Sequence, residues 1–379
     1  MKKKRVAVIG CTGSIGRQAV SVIQRHPDRF EASVLAANSD YDLLARQAAL
    51  LHPARTALRR EGDYPVTEGT CFACGEDAFR AACADPDTDI VLNAVTGFAG
   101  LAATLAAVNA GKDVALANKE SLVCGGNLVM RAAEARGVRI LPVDSEHSAV
   151  WQALHFDCRT PFRKILLTAS GGALRDLPLK ELPFVTAEQA LRHPNWRMGD
   201  KITIDCATML NKGFEVIEAM HLFHAAQGQI EVLIHRESIV HSLVEFEDGA
   251  VIGQLGIPSM ELPIQLALTW PERLETGLPR LDLVNAGTLH FEAVEEERYP
   301  CFRLALECAG KGGVYPAVLN AAGEVAVRAF LKGKIGYTGI PEVIESVLSA
   351  QEYMPADTYE EIAGADLLAR ERARRLCRE

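Results

Sequence analysis

The chain has no apolar run long enough to cross a membrane and no stretch in which Lys and Arg alternate with aromatics. Its 379 residues carry a formal net charge of −9, which argues against general nucleic-acid binding. After the opening Met-Lys-Lys-Lys-Arg, only a short apolar run precedes Gly10, which is too short for the apolar core of a signal peptide. We therefore expect a cytoplasmic protein with neither membrane nor nucleic-acid partners.

Cysteine pairs at metal-binding spacing are also scarce. The 10 Cys are scattered, and only Cys71 and Cys74 form a C-x-x-C pair, without the second pair or the histidines that a zinc site requires. We interpret this pair as incidental. The thiols are expected to be reduced, as in a cytosolic protein.

The first informative pattern that is present is a glycine-rich turn. Residues 5–9 form an apolar run typical of a buried parallel strand, the turn Gly-Cys-Thr-Gly-Ser-Ile-Gly occupies 10–16, and a helix is predicted over 17–25. In this arrangement the backbone approaches a pyrophosphate at the helix N-terminus. Because the spacing is not the strict G-x-G-x-x-G, a turn that binds no nucleotide remains the alternative.

Strands and helices alternate through residues 1–143. Further buried strands are predicted at 34–37, 90–94, 114–117 and 138–141, and helices at 42–51, 76–84, 100–110 and 126–136. This alternation predicts an α/β fold that begins with a Rossmann-type parallel sheet, covered by helices on both faces.

The rest of the chain has a different pattern. Residues 144–275 are mixed, which predicts a central α+β catalytic domain with strands near 163–168, 201–205, 231–235, 239–246 and 250–255. The turn-rich residues 276–298 are predicted to be a linker. Residues 299–379 are predicted to form a C-terminal helical domain, with helices at 317–330 and 365–377.

Residues 193–215 hold the densest set of polar anchors. Trp and Met can cover a flat apolar ligand face, Asn and Lys can hold an anion, and Glu can hold a cation. On a helix, Asn211 and Lys212 would each share a face with Glu215, because the spacings are four and three residues. A loop followed by an ordinary surface ion pair remains the alternative reading.

A pair of carboxylates lies upstream in Val143-Asp144-Ser145-Glu146-His147. If the strand predicted at 138–141 continues, its alternation points Asp144 and Glu146 to one side. Two carboxylates on one face repel unless a cation lies between them, and hard divalent cations such as Mg²⁺ take oxygen ligands. A polar strand exit is the alternative, and only a third carboxylate such as Glu215 would make the pair a plausible metal site.

Taken together, these elements resemble the 1-deoxy-D-xylulose 5-phosphate reductoisomerase family. The matching segments include GCTGSIG at 10–16, ANKESLV at 117–123, VDSEHSA at 143–149, TASGGAL at 168–174, HPNWRMG at 193–199 and ATMLNKGFE at 207–215. Family members rearrange 1-deoxy-D-xylulose 5-phosphate and reduce the product with NADPH to 2-C-methyl-D-erythritol 4-phosphate, in the non-mevalonate isoprenoid route. The resemblance implies NADPH, Mg²⁺ or Mn²⁺, a phosphorylated sugar substrate and a homodimer.

The resemblance also implies residue roles. The implied metal ligands are Asp144, Glu146 and Glu215. The implied substrate contacts are Ser145, Glu146, Ser170, His193, Cys206, Asn211, Lys212 and Glu215, and the implied catalytic residues are Lys119, Glu146 and His193. The implied cofactor contacts are Thr12, Gly13, Ser14, Ile15, Asn38, Asn118, Glu120 and Gly199. Residues near 190–200 correspond to a lid that carries Trp196 and Met198.

Three positions depart from the family pattern. Cys206 replaces a Ser that helps to bind phosphate, and a thiol is a weaker donor than a hydroxyl. The loop after the second strand reads Asn38-Ser39-Asp40, where many members have a Lys that faces the NADP 2′-phosphate. An acid there is what an NAD ribose prefers, although NADPH remains the expected cofactor. Arg197 and the pair Arg236-Glu237 replace Ser and Pro-Gln, without a consequence that we can derive.

Two other functions are compatible with parts of the sequence. A Rossmann reductase of another small anionic carbonyl compound would explain the glycine turn but not three carboxylates with the HPNW segment. A non-catalytic nucleotide-binding regulator would not explain why Lys119, Asp144, Glu146 and Glu215 occur together.

Overall fold

A computed structural model describes residues 2–65, 69–196 and 198–378 and divides into two compact units. The first unit contains Met1–Ser121, Val129–Ser145 and Ser259–Leu278, and the second contains the other segments. The predicted boundary at 275 therefore differs from the observed one, because residues 259–278 return to the first unit. Arg197, one of the departures from the family pattern, lies outside the described residues.

The first unit is built on a seven-stranded sheet in the order β4-β3-β2-β1-β5-β6-β7. Its strands are parallel and comprise β1 Lys4–Ile9, β2 Phe30–Ala37, β3 Arg55–Leu58, β4 Cys71–Cys74, β5 Ile90–Asn93, β6 Asp113–Leu116 and β7 Ile140–Pro142. Its helices include α1 Ser14–Arg25, α2 Tyr41–Leu51, α3 Glu76–Cys83, α4 Ala99–Asn109 and α10 Glu261–Thr269. Helix α5 Glu120–Arg136 is shared between the units. The predicted Rossmann-type sheet is confirmed, although β3 and β4 were not predicted.

The second unit contains a five-stranded sheet in the order β11-β10-β8-β9-β12. Its strands are β8 Lys164–Ala169, β9 Ile230–Ile234, β10 Val240–Glu245, β11 Val251–Leu255 and β12 Glu292–Ala293. Only the β8–β9 pair is parallel among the recorded pairs of this sheet. Strand β12 and helix α11 Leu283–Ala286 lie in the predicted linker, so this segment contributes an edge strand to the sheet.

The second unit also contains helices, the last of which form the C-terminal region. They include α6 Ser145–Ala153, α7 Ala187–Ala190, α8 Asp200–Ala207, α9 Leu210–Leu222, α12 Pro300–Lys311, α13 Tyr315–Leu331, α14 Gly339–Ser349 and α15 Tyr359–Leu376. The predicted helical C-terminal region is confirmed. Helix α13 is its centre, since 13 of its 17 residues are buried. Within the described residues, no helix combines the length and apolar character that a membrane span requires.

Two local predictions are wrong. The strand expected at 201–205 is helix α8, in which Lys201 Nζ lies 2.5 Å from Asp205 Oδ2 one turn later. The alternating Ile and Thr residues resembled a strand, but contacts at helical spacing decide the conformation. The strand alternation proposed for Asp144 and Glu146 is also wrong, because helix α6 begins at Ser145 and places Glu146 in its first turn.

The helix that carries the predicted polar anchors, α9, packs unusually close to α12. A Cβ atom added at Gly213 would lie 2.3 Å from Ala305 Cβ, far inside contact distance. Gly213 lies next to Lys212 in the chain, so this close approach fixes the position of the helix that bears the site.

We predict that Gly213→Ala lowers the free energy of unfolding by about 1–3 kcal/mol, because the added methyl overpacks the α9–α12 contact. Urea unfolding measures this loss. Adding Ala305→Gly removes the clashing atom. The double variant is therefore expected to lose less free energy of unfolding than the sum of the losses in the two single variants. Strictly additive effects would contradict a direct contact.

Candidate active site

The glycine turn of the first unit forms a cradle of backbone between β1 and α1. Gly10 has φ +89°, and a Cβ there would lie 2.6 Å from the Ala94 carbonyl oxygen. A Cβ at Gly16 would lie 2.2 Å from the Gly10 carbonyl oxygen. Gln47 Nε2 donates to the Cys11 carbonyl at 2.9 Å and holds the turn. Only glycine fits at these positions, as a turn that admits a pyrophosphate requires.

The residues expected to contact the cofactor lie at the surface of this turn. Thr12 and Ile15 are half-buried, and Gly13 and Ser14 are exposed. Gly13 is the N-cap residue of α1, and it has no side chain that could accept a hydrogen bond from the N–H groups of the first turn. These N–H groups carry the positive end of the helix dipole, which suits a phosphate.

Asn118 is the most fully bonded of the expected cofactor residues. Its side-chain amide donates to the carbonyls of Val95 at 2.8 Å and Gly97 at 3.0 Å, and to Glu120 Oε2 at 2.8 Å. Its Oδ1 accepts the Ser121 backbone N–H at 3.0 Å. The side chain of Asn118 therefore clamps the loop after β5, which lies at the carboxyl edge of the sheet where α/β proteins bind ligands.

Lys119 and Asp144 form a close ion pair in the first unit. Lys119 Nζ lies 2.5 Å from Asp144 Oδ2, and both side chains are largely buried. Lys119 precedes α5, whereas Asp144 directly precedes α6, beyond the end of β7. A buried ammonium beside a carboxylate at the edge of a parallel sheet can stabilise negative charge that develops on a ligand.

Three carboxylates converge near the start of α6. Asp144, Glu146 and Glu215 each offer an oxygen, and these oxygens lie within 4.8 Å of one another. Glu146 belongs to the first turn of α6 and Glu215 to the second turn of α9. Three hard oxygen donors at this spacing fit Mg²⁺ or Mn²⁺. The expected metal set is therefore brought together by helices rather than by a strand.

Lys212 holds two of these carboxylates. Its Nζ lies 2.8 Å from Glu146 Oε1 and 2.6 Å from the Thr168 carbonyl, and it also bonds Glu215 Oε2. Burial lowers the pKa of Lys212, but the carboxylates of Glu146 and Glu215 outweigh burial and raise this pKa above its usual value. The ammonium is therefore charged. Asn211 Nδ2 donates to Glu215 Oε1 at 2.5 Å, as expected for residues four apart on a helix.

A second buried pair lies behind this cluster and was not predicted in this role. His147 Nε2 lies 2.9 Å from the Glu215 carbonyl oxygen, and His147 Nδ1 lies 3.4 Å from Glu218 Oε2. Both side chains are almost fully buried. His147 therefore links α6 to the backbone of the helix that carries Glu215. The spacing Glu215-x-x-Glu218 was the available signal, because residues three apart share a helix face.

Ser170 opens a tight turn after β8. Gly171 and Gly172 have φ +77° and +70°, and a Cβ at Gly172 would lie 2.6 Å from the Cys206 carbonyl oxygen. The turn thus lies directly against the end of α8, where Cys206 is half-buried. Successive backbone N–H groups in such a turn can bind an anion. The turn that Ser170 opens is therefore next to the end of α8, which carries Cys206; both residues are expected phosphate contacts.

The hydrogen bonds of His193 indicate which of its ring nitrogens carries the proton. Its Nδ1 accepts the backbone N–H of Asn195 at 3.2 Å and of Trp196 at 3.0 Å. Its Nε2 lies 2.9 Å from Ser170 Oγ, so Nε2 carries the proton and donates it. Burial, with a contribution from the Arg175 guanidinium, lowers the pKa of His193 to about 4. The ring is neutral at pH 7.

The segment expected to be a lid is anchored in this structure by its polar residues. Asn195 Nδ2 donates to the Arg236 carbonyl at 2.6 Å and to Ser238 Oγ at 2.7 Å. The rings of Trp196 and His241 have centroids 6.4 Å apart. Met198 is half-buried, and Gly199 is exposed at the N-cap of α8. The side-chain amide of Asn195 therefore ties the segment to the β9–β10 connection.

The glycine cradle, the buried lysines and the converging carboxylates define a nicotinamide-dependent oxidoreductase with a divalent-metal site.

Comparison with known protein families gives the same class. The family model of 1-deoxy-D-xylulose 5-phosphate reductoisomerase matches residues 6–126, and two family models of its C-terminal domain match residues 140–223 and 255–372. The 1-deoxy-D-xylulose 5-phosphate reductoisomerase of Pelotomaculum thermopropionicum is 50% identical over 97% of each chain. That of Geobacillus sp. (strain WCH70) is 48% identical over 98% of this chain and 100% of the relative.

Solved structures agree with these relatives. The Zymomonas mobilis enzyme in complex with NADPH is 40% identical, with a TM-score of 0.93 and 99% of each chain covered. A DOX-P reductoisomerase in complex with NADPH, fosmidomycin and magnesium is 37% identical, with a TM-score of 0.94 over 99% of this chain and 98% of that chain. The chain belongs to the 1-deoxy-D-xylulose 5-phosphate reductoisomerase family.

We predict that the pKa of His193 is about 4 rather than its ordinary 6.5, because burial disfavours the charged ring. Protonation of Nδ1 would also set an N–H against the two backbone N–H groups that this nitrogen accepts. Nitrogen-15 NMR of labelled histidine, assigned with His193→Gln, measures the midpoint and the tautomer. A midpoint near 6.5, or a proton on Nδ1 at pH 7, would contradict the assignment.

Proposed function

We propose that this protein isomerises 1-deoxy-D-xylulose 5-phosphate and reduces the rearranged aldehyde with NADPH, giving 2-C-methyl-D-erythritol 4-phosphate for isoprenoid biosynthesis. The observation that carries this proposal is the meeting of Asp144, Glu146 and Glu215 within 4.8 Å, in a chain of this family. A reductase without isomerisation has no evident use for such a site, since hydride transfer alone needs no three-carboxylate metal centre.

Asp144, Glu146 and Glu215 are the proposed ligands of Mg²⁺ or Mn²⁺. When bound there, the cation acts as a Lewis acid that polarises the ketone and hydroxyl oxygens of the substrate. Ser145, buried at the start of α6 between two of the ligands, is proposed to bind a substrate hydroxyl. Lys119, paired with Asp144, is proposed to stabilise the negative charge that develops during rearrangement.

Lys212 is proposed to change partners during the catalytic cycle. Its ammonium and a divalent cation would both bind to the carboxylates of Glu146 and Glu215. Two cations bound to the same pair of carboxylates repel each other. Lys212 is therefore free to bind the substrate phosphate once its carboxylates serve the metal, together with Asn211, whose amide is bonded to the same Glu215.

The remaining phosphate contacts are proposed to come from the Ser170 turn and Cys206. Ser170 Oγ accepts from His193 Nε2 and from the Gly172 backbone N–H at 3.1 Å, so its own proton is available to an anion. His193 thereby orients the hydroxyl while its segment covers the substrate. Exclusion of water by this segment strengthens each electrostatic contact during reduction.

NADPH supplies the hydride. We propose that Thr12, Gly13, Ser14 and Ile15 bind its pyrophosphate, since their turn forms the backbone cradle before α1. Asn38 is proposed to bind the adenosine ribose, and Asn118, Glu120 and Gly199 complete the proposed set of cofactor contacts. The side chain of Asn118 is used within its own loop, so its contribution to the cofactor is the shape of that loop.

We further propose a cytoplasmic homodimer. Within the described residues the cysteines form no disulfide, which agrees with a reducing compartment. Edge strand β11 exposes Val251, Ile252 and Leu255, and a second copy covering these side chains would remove an exposed apolar edge.

We expect purified protein to oxidise NADPH only with both 1-deoxy-D-xylulose 5-phosphate and Mg²⁺ or Mn²⁺, and mass spectrometry to detect the branched product. Glu215→Gln should lower turnover at least about 100-fold, because it removes a charge from the proposed metal ligands. Its NADPH dissociation constant, followed by nucleotide fluorescence, should stay within twofold of the wild type.

Each of these measurements has an outcome that would contradict the proposed function or the proposed role of Glu215. NADPH oxidation without a divalent cation would favour a simple reductase, and absence of oxidation under every condition would favour a nucleotide-binding regulator. Near-normal turnover of Glu215→Gln at saturating Mg²⁺ would remove Glu215 from the metal ligands.

A further inference from the structure

The loop after β2 lacks the cation that a 2′-phosphate needs. Asn38, Ser39 and Asp40 are all exposed, and the loop contains no Lys or Arg. In Rossmann-type units this loop faces the adenosine ribose, where an acidic residue favours NAD and a nearby Arg accommodates the additional phosphate of NADP. The family to which the chain belongs leads us to expect NADPH, so the required charge must come from another element.

The acid in this loop has a structural role. Asp40 stands at the N-cap of α2, where its Oδ1 accepts the Leu43 backbone N–H at 3.1 Å. An N-cap carboxylate of this kind stabilises its helix by about 1 kcal/mol. The N-cap contact therefore accounts for an acidic residue at this position without any contact to an NAD ribose. Asp40 lies three residues beyond Ala37, the last residue of β2.

Two positively charged side chains, those of Arg59 and Arg60, directly follow the neighbouring strand β3. The Arg59 backbone N–H donates to the Ala37 carbonyl at 2.9 Å, and the Arg60 N–H donates to the Asn38 carbonyl at 2.8 Å. The chain after β3 thus runs alongside the loop after β2. Tyr64 reinforces this path, since its hydroxyl lies 3.4 Å from the Arg60 carbonyl.

The two arginines differ in their availability. Arg59 Nε is paired with Glu76 Oε2 at 2.6 Å. Arg60 is exposed, and within the described part of the chain its guanidinium has no recorded ion pair or hydrogen bond. The neighbouring carboxylate of Glu61 lies close to Gly75, since its Oε1 would be 3.5 Å from a Cβ atom added at Gly75.

We propose that Arg60 binds the 2′-phosphate of NADPH and determines the preference of this chain for NADPH over NADH. The assignment rests on the proposed function, because it presumes a nicotinamide cofactor in the glycine cradle. A guanidinium presents paired N–H donors that match a phosphate, and the exposed residues Asn38 and Ser39 can add neutral donors.

The test is equilibrium binding of NADPH and NADH, measured by nucleotide fluorescence and calorimetry without substrate or metal. Arg60→Ala should weaken NADPH binding about tenfold or more, because a charge-assisted contact is lost, and should change NADH binding less than twofold. Arg60→Lys should lie between the two, since it keeps the charge but loses the paired geometry. The matched control, Arg59→Ala, should affect both nucleotides equally and by less than threefold.

The competing outcomes are distinct. Unchanged NADPH selectivity in Arg60→Ala, with an unchanged melting temperature, would overturn the role of Arg60 while leaving the proposed function intact. A selective loss of NADPH binding in Arg59→Ala would assign the phosphate to Arg59 and also overturn the proposal. Wild-type protein that binds neither nucleotide would overturn the proposed function and this inference together.

Discussion

The buried ammonium of Lys212 is the interaction on which the site depends. It joins three elements, since it bonds Glu146 on α6, Glu215 on α9 and the Thr168 carbonyl at the end of β8. Burying one ion without partners costs several kcal/mol, so each carboxylate needs either this lysine or another cation nearby. A site organised in this way can accept a dication only by exchanging one positive charge for another.

The surrounding fold holds the partners of Lys212 in place. His147 connects α6 to the carbonyl of Glu215, and Gly213 allows α12 to approach α9 closely. The Ser170 turn requires Gly172, because the Cys206 carbonyl oxygen leaves no room for a Cβ. These contacts use backbone atoms and glycines, so a close approach of backbone segments sets the positions from which the charged side chains extend.

The sequence was most informative where a periodic pattern agrees with burial. Strands β1, β2, β5 and β6 each contain a continuous apolar run, and the spacing of Asn211, Lys212 and Glu215 places them on one face of α9. The strand-like patterns were misleading in α8, where contacts at helical spacing decide the conformation, and at Asp144 and Glu146, where α6 begins at Ser145. Strands β3 and β4 lie towards one edge of the sheet and contain no Val or Ile, unlike the equally short β5 and β6, so their signal was too weak.

Partnerships between distant residues could not be predicted in the same way. Nothing local indicates that Lys212 bonds carboxylates, that His147 reaches the backbone of α9, or that Arg60 borders the loop after β2. Each depends on which strands and helices are neighbours. The family resemblance supplied the residue types of the site, whereas the packing determines which charges are paired.

The exchange of partners at Lys212 can be tested by measuring Mn²⁺ affinity at pH 8 by electron paramagnetic resonance on wild type, Lys212→Met and Lys201→Met. Lys201, which pairs with Asp205 on α8, is the matched control and should leave the affinity unchanged. If Lys212 and the metal compete for Glu146 and Glu215, Lys212→Met should bind Mn²⁺ about tenfold more tightly or better, because a charged hydrogen bond no longer has to be broken. Unchanged or weaker Mn²⁺ binding in Lys212→Met would contradict the exchange of partners.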